Sequence, residues 1–426
     1  MVHRVNVAGA GGASGAAADS EVLRRGSRSA LAQALAQSRQ DTLAAFAAYE
    51  AALGSGLTVP LDPTLNPPRW ELGHIGWFQE FWIARNPQRD RGVDADPDAP
   101  RPPSIREGGD ALYNSSRVPH DTRWSLPLPS ADATRADLAQ QLEATLRLLD
   151  AAGEDDAALY FHRLSLAHED MHHEAALYMA RKLDIDWPDA RWLPRAGDAG
   201  SVASELRVDA GMHLLGSSGP GFAFDNELPA QRVNVAAFTI DRCARRWRDV
   251  LPFVEAGGYA DPRWWSEAGR AWLARSGART PRYLRQEDGV WLERRHRRWQ
   301  VLDLDQAAEH LTHFEADAWC RWAGRRLPTE IEWERAATLF GAPGPGRAGS
   351  AFDWGRVWEW TASAFAPFLG FAPHPYRDYS RHWFDGRPVL RGASYLTQPR
   401  MRDRRYRNYF TAERNDIAAG FRSCAL

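Results

Sequence analysis

Three histidines are the residues of this chain best placed to do chemistry. His168 and His172 stand four apart in Ala167-His168-Glu169-Asp170-Met171-His172-His173-Glu174. On a helix their rings project from one face, a turn apart, so both can grip one metal ion. An open catalytic site needs at least one further ligand and a position left for substrate or water. The best third ligand is His74, far upstream in Trp70-Glu71-Leu72-Gly73-His74-Ile75-Gly76-Trp77-Phe78. His173 follows His172 by one residue and rotates off that face, so it reads as structural. Glu174 points away from His168; support for the ligands and a solvated face are equally open to it. His120 and His162 have no ligand-like spacing.

Four helices must position these imidazoles. Residues 29–53 carry Leu31, Leu35, Leu43, Phe46 and Leu53 on an Ala-rich background, with Gly54 and Gly56 to end the helix. A stiff connection follows, through Pro60, Pro63, Pro67 and Pro68. The next helix spans about 69–85 and carries His74. Residues 86–130 read as a long ordered loop, because Tyr113, Trp124, Leu126 and Leu128 need burial. Loops of that length in compact domains are usually functional. Ser130 is the expected N-cap of a third helix over 131–152, striped by Leu138, Leu142, Leu146 and Leu149. The fourth helix spans 156–182 and carries His168 and His172. The pattern predicts an up-and-down bundle with the ligands facing inward.

Beyond Trp187 helical stripes give way to short apolar runs separated by Gly, Pro and Asp, as in Met212-His213-Leu214-Leu215-Gly216. Two helices stand out, over 244–256 and 315–323. The fold class expected is α+β: a disordered tail over 1–28, a metal-binding helical bundle over 29–195, and an irregular, aromatic-rich domain over 196–426.

Composition narrows the function classes. The chain has 426 residues, 44% of them hydrophobic and 25% charged, with a formal net charge of −2. That balance gives no sign of a nucleic-acid partner. No apolar run approaches the roughly 18 residues of a membrane span, and the N-terminus lacks a signal-peptide core. A cytoplasmic protein with no membrane partner is expected. Cys243, Cys320 and Cys424 form no CxxC pair, which argues against zinc ribbons and thioredoxin-like chemistry. Cys320 lies in an amphipathic helix and reads as packing. Nineteen Trp residues supply large, stiff surfaces for packing or for lining a cleft.

Several stretches resemble a known family. Asp225-Asn226-Glu227-Leu228-Pro229, Arg325-Arg326-Leu327-Pro328-Thr329-Glu330-Ile331-Glu332-Trp333-Glu334, Val357-Trp358-Glu359-Trp360-Thr361, Leu390-Arg391-Gly392-Ala393-Ser394-Tyr395 and Ala419-Gly420-Phe421-Arg422 resemble the formylglycine-generating-enzyme fold, a C-type-lectin-like architecture. Asn66-Pro67-Pro68-Arg69-Trp70 leading into His74, followed by the paired histidines, resembles a DinB-type four-helix bundle. The fusion in that order is similar to the ergothioneine-pathway sulfoxide synthases (EgtB-like and OvoA-like) and to their relative selenoneine synthase. The resemblance implies Fe(II) held by three histidines, which map onto His74, His168 and His172. It implies O2-dependent joining of a chalcogen donor to the imidazole C2 of hercynine, the trimethyl betaine of histidine. Imidazole ligands suit Fe(II) and leave positions for further ligands. Formylglycine generation itself is not implied, because its cysteine pair is replaced here by Ser394-Tyr395.

The departures bear on substrate. Met171 stands where the sulfoxide synthases usually carry a Gln that touches the acceptor imidazole. The loop Tyr113-Asn114-Ser115-Ser116-Arg117-Val118-Pro119-His120-Asp121-Thr122-Arg123-Trp124 does not reproduce the Arg-rich segment that holds a dicarboxylate donor. Hydroxyls with Arg117 and Arg123 would suit a neutral sugar better, which favours a selenosugar (1-seleno-β-D-glucose) over γ-glutamylcysteine or cysteine. Asn408, Tyr409 and Phe410 resemble the segment that receives hercynine, whose quaternary ammonium wants aromatic faces. Arg414 is expected to pair with the betaine carboxylate. Tyr376 and Tyr379 are the candidates for the tyrosine that serves the oxygen chemistry. The expectation is a non-haem iron(II)- and O2-dependent selenoxide synthase acting on hercynine. A hercynine sulfoxide synthase using a thiol donor, a zinc-dependent DinB-type thiol transferase and a non-enzymatic binding module stand as alternatives.

Overall fold

The computed structural model describes residues 15–187, 189–195, 205–341 and 351–426. The helical part comprises α1 (Gly15–Arg25), α2 (Arg28–Leu53), α3 (Pro68–Gln79), a short α4 (Gly109–Tyr113), α5 (Ala131–Asp150) and α6 (Asp156–Lys182). Local sequence explains the boundaries. Ser27, Ser130 and Asp155 each cap a helix by accepting a hydrogen bond from the backbone N–H three residues on. Pro68 opens α3, where its missing N–H costs nothing. Past Gln79 the helix widens into a single π turn, Glu80–Ala84.

The bundle packs α2 and α3 against both α5 and α6. Leu31, Leu35, Trp70, Phe78, Phe161 and Leu164 fill its interior. The first 28 residues are not simply a disordered tail: α1 covers Gly15–Arg25, whereas residues 1–14 lie outside the described residues. Leu23 is buried, and Arg24 is an inward-facing cation paired with Glu227 (2.7 Å) and Asp403 (3.0 Å). Those acidic partners come from far along the chain, so no local pattern marks α1 as ordered.

The second part is built from short strands. Strands β1 (Glu205–Val208) and β4 (Phe238–Asp241) pair antiparallel. Together with β13 (Cys424–Ala425) and β8 (Arg325–Arg326) they form a sheet of order β1-β4-β13-β8. A second sheet has the order β11-β10-β9-β12, from β9 (Trp358–Ala364), β10 (Pro388–Arg391), β11 (Asn408–Tyr409) and β12 (Ala419–Gly420). A hairpin, β2 (Gly211–Leu215) with β3 (Gln231–Val235), and a meander of β5 (Leu284–Glu287), β6 (Val290–Arg295) and β7 (Arg298–Val301) complete it. The last two strands thus return to both sheets. Among the described residues four α-helices accompany them: α7 (Trp247–Glu255), α8 (Glu267–Ser276), α9 (His313–Trp322) and α10 (Glu330–Phe340). The two expected over 244–256 and 315–323 correspond to α7 and α9. The others lack a long apolar stripe, but Ser266 caps α8 and the Thr329–Glu332 capping box starts α10. The expected boundary at 195/196 borders residues 196–204, which lie outside the described residues.

Helix α6 carries much of the polar contact between the two parts. Asp170 is buried and receives both Nε and Nη2 of Arg400 at 2.6 Å, with Ser38 donating from α2 at 2.7 Å. Glu174, one turn on, accepts from Trp358, Ser394 and Thr397. It is half-buried, and a cluster of donors from the second part engages it.

Removing one partner of a buried ion pair leaves the other charge unpaired. Arg400→Met is therefore expected to destabilise the fold by about 3–5 kcal/mol. Urea unfolding followed by tryptophan fluorescence would show it as a lowered midpoint.

Candidate metal centre

Helices α3 and α6 bring His74, His168 and His172 together, each offering a ligand nitrogen within 4.8 Å of the others. Two of the three rings are oriented by acceptors on one side. His74 Nδ1–H donates to the Tyr113 carbonyl at 2.8 Å. His172 Nδ1–H donates to Glu71 Oε2 at 2.5 Å. In a neutral imidazole that leaves Nε2 as the lone-pair nitrogen. His168 is held differently, stacked on Phe78 with ring centres 3.5 Å apart. Both its nitrogens are buried with no hydrogen-bond partner among the described residues. Buried polar atoms are seldom left unpaired without a reason, and a metal ion would satisfy His168.

The electrostatics agree. Burial first, and then the charge of His172, push His74 down to about 3. Burial, then His172 and His74, hold His168 well below its usual value. Both rings are neutral at physiological pH, the form that ligates metal. Burial opposes ionisation of Glu71, but the charge and hydrogen bond of His172 outweigh it, so the carboxyl stays below its ordinary range. Three imidazoles backed by a carboxylate and a carbonyl fit a divalent first-row metal.

Glycine makes part of this geometry possible. A Cβ on Gly73 would lie 2.2 Å from the Tyr113 ring. Without one, the Tyr113 ring packs against α3 at Gly73, and its carbonyl reaches His74. This is what the buried loop residue Tyr113 does for the site.

A cleft of about 220 Å³ opens beside His172. Met171, Glu174, Ala175 and Tyr178 line one wall as a single helical stripe, and Trp358, Tyr406, Asn408, Phe410 and Ile417 line the other. Of the residues expected at a substrate site, Met171, Asn408 and Phe410 lie here. Tyr409 does not: its ring stacks on Phe365 at 4.0 Å and its hydroxyl donates to the Tyr379 carbonyl. On β11 alternate side chains point to opposite faces, which sends Tyr409 away from its neighbours. Arg414 stands behind the wall, over the Phe410 ring at 4.8 Å, with its fork occupied by Asp416 at 2.6 and 2.8 Å. Arg117 is exposed on the loop. Arg123 lies flat on Trp70 at 3.8 Å and donates to Asn66.

The two tyrosine candidates separate. Tyr376 stands 4.9 Å from Phe78 and 6.3 Å from His168 between ring centres. Tyr379 instead stacks on Phe224 at 4.5 Å, within the aromatic core of the second part. Burial, then Asp378, raises Tyr376 far above the usual phenol range, so it keeps its proton.

Sequence reasoning missed Glu71, Tyr178, Trp358 and Tyr406. Glu71 had a signal, being an acid one turn before His74 on the same helix. Tyr178 had one too, at the end of the stripe that starts at Met171. Trp358 and Tyr406 had none, since they reach the cleft only through the sheet.

Comparison with known proteins places both parts. Residues 34–181 match the DinB superfamily, and residues 193–356 match the sulfatase-modifying factor enzyme 1-like domain. The fold is a DinB-like helical bundle joined to a C-type-lectin-like domain of the sulfatase-modifying type. The chain is 32% identical to the hercynine oxygenase of Mycolicibacterium smegmatis over 93% of its own length and 98% of that protein. It is 33% identical to the hercynine oxygenase of Mycolicibacterium thermoresistibile, over 85% and 87% of the two chains. The formylglycine-generating enzyme of Streptomyces coelicolor is 29% identical over 46% of this chain and 80% of its own.

The Glu71 carboxylate fixes the ring and basicity of His172. Loss of such a partner typically weakens metal affinity roughly 10–100-fold. Glu71→Gln is expected to do so while the fold is retained, as read by anaerobic metal titration alongside circular dichroism.

Proposed function

Because the chain belongs to the hercynine oxygenase family, we propose that it joins a chalcogen donor to the imidazole C2 of hercynine with O2. Iron(II) is the metal, held by His74, His168 and His172. The donor is a selenosugar, 1-seleno-β-D-glucose, and the product is a selenoxide for a second enzyme to cleave. One O2 is consumed: the C–H and Se–H bonds are lost, a C–Se bond forms, one oxygen atom goes to selenium and the other to water. The observation that carries this reading is the triad of His74, His168 and His172, the first two buried, opening at His172 into an aromatic cleft.

Bound iron(II) would supply the one-electron and O2 chemistry that side chains lack. The protein's own residues bind and orient. Glu71 and the Tyr113 carbonyl hold two of the imidazoles in one tautomer. Met171 gives the acceptor ring an apolar neighbour at the mouth of the cleft. Trp358, Tyr178, Tyr406 and Phe410 exclude water and offer ring faces to a quaternary ammonium. Tyr376 keeps a phenolic proton beside His168, hydrogen-bonded to Ser115.

The neutral donor is supported by the engagement of several arginines on these loops. Arg85 is paired with Asp110, Arg106 with Asp137, and Arg377 with Asp98. Arg101 donates to the carbonyls of Phe81, Pro97 and Ala99. Ser115 and Ser116 supply hydroxyls on the same loop, Ser116 donating to Asp378. Hydroxyls suit a sugar better than a dicarboxylate, which calls for free arginine forks.

Anaerobic reconstitution with Fe(II), followed by hercynine, O2 and one donor at a time, is expected to give a selenium adduct of hercynine by mass spectrometry. His74→Ala should abolish it. A sulfur adduct from γ-glutamylcysteine or cysteine alone would overturn the donor and keep the reaction class. Turnover without O2 would overturn the class in favour of a thiol transferase. Tyr376→Phe is expected to lower kcat by about 10²–10⁴-fold with KM for hercynine little changed, whereas Tyr379→Phe should leave kcat within a few-fold, as steady-state kinetics would show.

A further inference from the structure

The stretch Asp225-Asn226-Glu227-Leu228-Pro229 lies outside the triad and the cleft, yet its three polar side chains are all buried. Two of them have evident structural partners. Glu227 is paired with Arg24 at 2.7 Å, and Asn226 Nδ2 donates to Ser380 Oγ at 3.0 Å. Asp225 is different. Among the described residues its partners are a hydroxyl and backbone N–H groups rather than a cation. Burial, reinforced by the charge of Glu227, pushes its carboxyl up to about 6 against those hydrogen bonds. A buried carboxylate without a counter-charge is costly. A neutral Asn could supply one acceptor there without that cost.

The two carboxylate oxygens of Asp225 hold different places in the chain. Ser380 Oγ donates to Oδ1 at 2.5 Å, and the His374 backbone N–H donates to Oδ2 at 3.4 Å. One side chain thus closes residues 374–380 into a loop, with Tyr376 inside it. Pro375 narrows the backbone freedom of His374, and the Tyr379 N–H donates to the Tyr376 carbonyl at 3.2 Å. The His374 ring is hydrogen-bonded through Nδ1 to the Tyr160 hydroxyl at 3.0 Å. Tyr160 and His168 both belong to α6, a rise of about 12 Å apart. The loop is therefore referenced to the helix that carries two of the ligands. At the surface Arg377 pairs with Asp98 at 2.9 Å, and Ser116 donates to Asp378. Exposed ties of that kind contribute little, which leaves the buried tie at Asp225 to set the shape of the loop.

We propose that Asp225 is a positioning residue for the O2-dependent reaction: by holding both ends of residues 374–380 it sets the Tyr376 phenol against Phe78 and beside His168. The inference rests on the reading of Tyr376 as the phenol that serves the reaction. Asp225 acts through the chain at His374 and Ser380, not at the reacting atoms. With both ends held, the ring keeps its hydrogen bond to Ser115. With one end released, the loop gains backbone freedom and the phenol loses its fixed place.

The test combines a readout without turnover and a kinetic one. In metal-free protein carrying tyrosine labelled with carbon-13 at Cζ, the Tyr376 NMR signal is assigned by its absence from Tyr376→Phe. Asp225→Asn keeps one acceptor but sets an NH2 group against the His374 N–H. It is expected to shift or broaden the Tyr376 signal, while the Tyr49 signal, assigned in the same way, stays in place. In the Fe(II) enzyme Asp225→Asn is expected to lower kcat by about 10–100-fold with KM for hercynine little changed. Added to Tyr376→Phe it should lower kcat no further, because the group it positions is already gone. An unmoved Tyr376 signal overturns the proposal, and so does a full further loss of kcat in the double variant. Should Asp225→Asn fail to fold, Ser380→Ala, which releases one end of the loop, decides by the same two readouts. Wild-type kcat in Tyr376→Phe overturns instead the reading of Tyr376, and with it the link to the reaction; a moved signal would still assign the placing of the ring to Asp225.

Discussion

Helix α6 must satisfy two environments at once, and everything else in the molecule is arranged around that requirement. His168 and His172 face α3, while Asp170, buried, and Glu174, half-buried, face the second part. Buried carboxylates are tolerated only with donors in place. Arg400 and Ser38 supply them to Asp170; Trp358, Ser394 and Thr397 supply them to Glu174. The rotation of α6 about its axis is thereby fixed, and the positions of both imidazoles with it. The polar contacts between the two parts are worth more as alignment than as stability.

The same contacts explain why the cleft needs both parts. One wall is the α6 stripe from Met171 to Tyr178. The other comes from β9, the segment ending at β11, and Ile417. A helical bundle alone would hold the triad but leave it open to water on that side. The second part closes it with Trp358, Tyr406 and Phe410, and so turns a metal-binding face into a site with a shape.

Support for the ligands comes from loops and from glycine. Tyr113 lies on α4, at the end of a loop folded back over α3, and Gly73 leaves room for its ring. Its carbonyl orients His74. A conserved length or composition in residues 86–130 would not reveal this, because the useful atom is a main-chain oxygen that any residue carries. The use of the loop is visible only once it is folded.

Much of the architecture could be read from the chain by itself. The leucine stripe and the cap at Ser130 define α5, and the four-residue spacing of His168 and His172 puts them on one face of α6. Those features depend on neighbours within a turn or two, so local periodicity records them. What joins distant segments was decided by tertiary structure. Arg24 is ordered by Glu227 and Asp403, about two hundred or more residues away. Tyr376 lies beside His168 and Tyr379 does not, although they are three residues apart. Tyr409 turns from the cleft that its neighbours Asn408 and Phe410 line. Glu174 is half-buried and hydrogen-bonded because Trp358, Ser394 and Thr397 arrive from another part of the chain. Sequence fixes which residues share a face of a helix or strand; which face is covered, and by what, depends on packing between elements that periodicity does not encode.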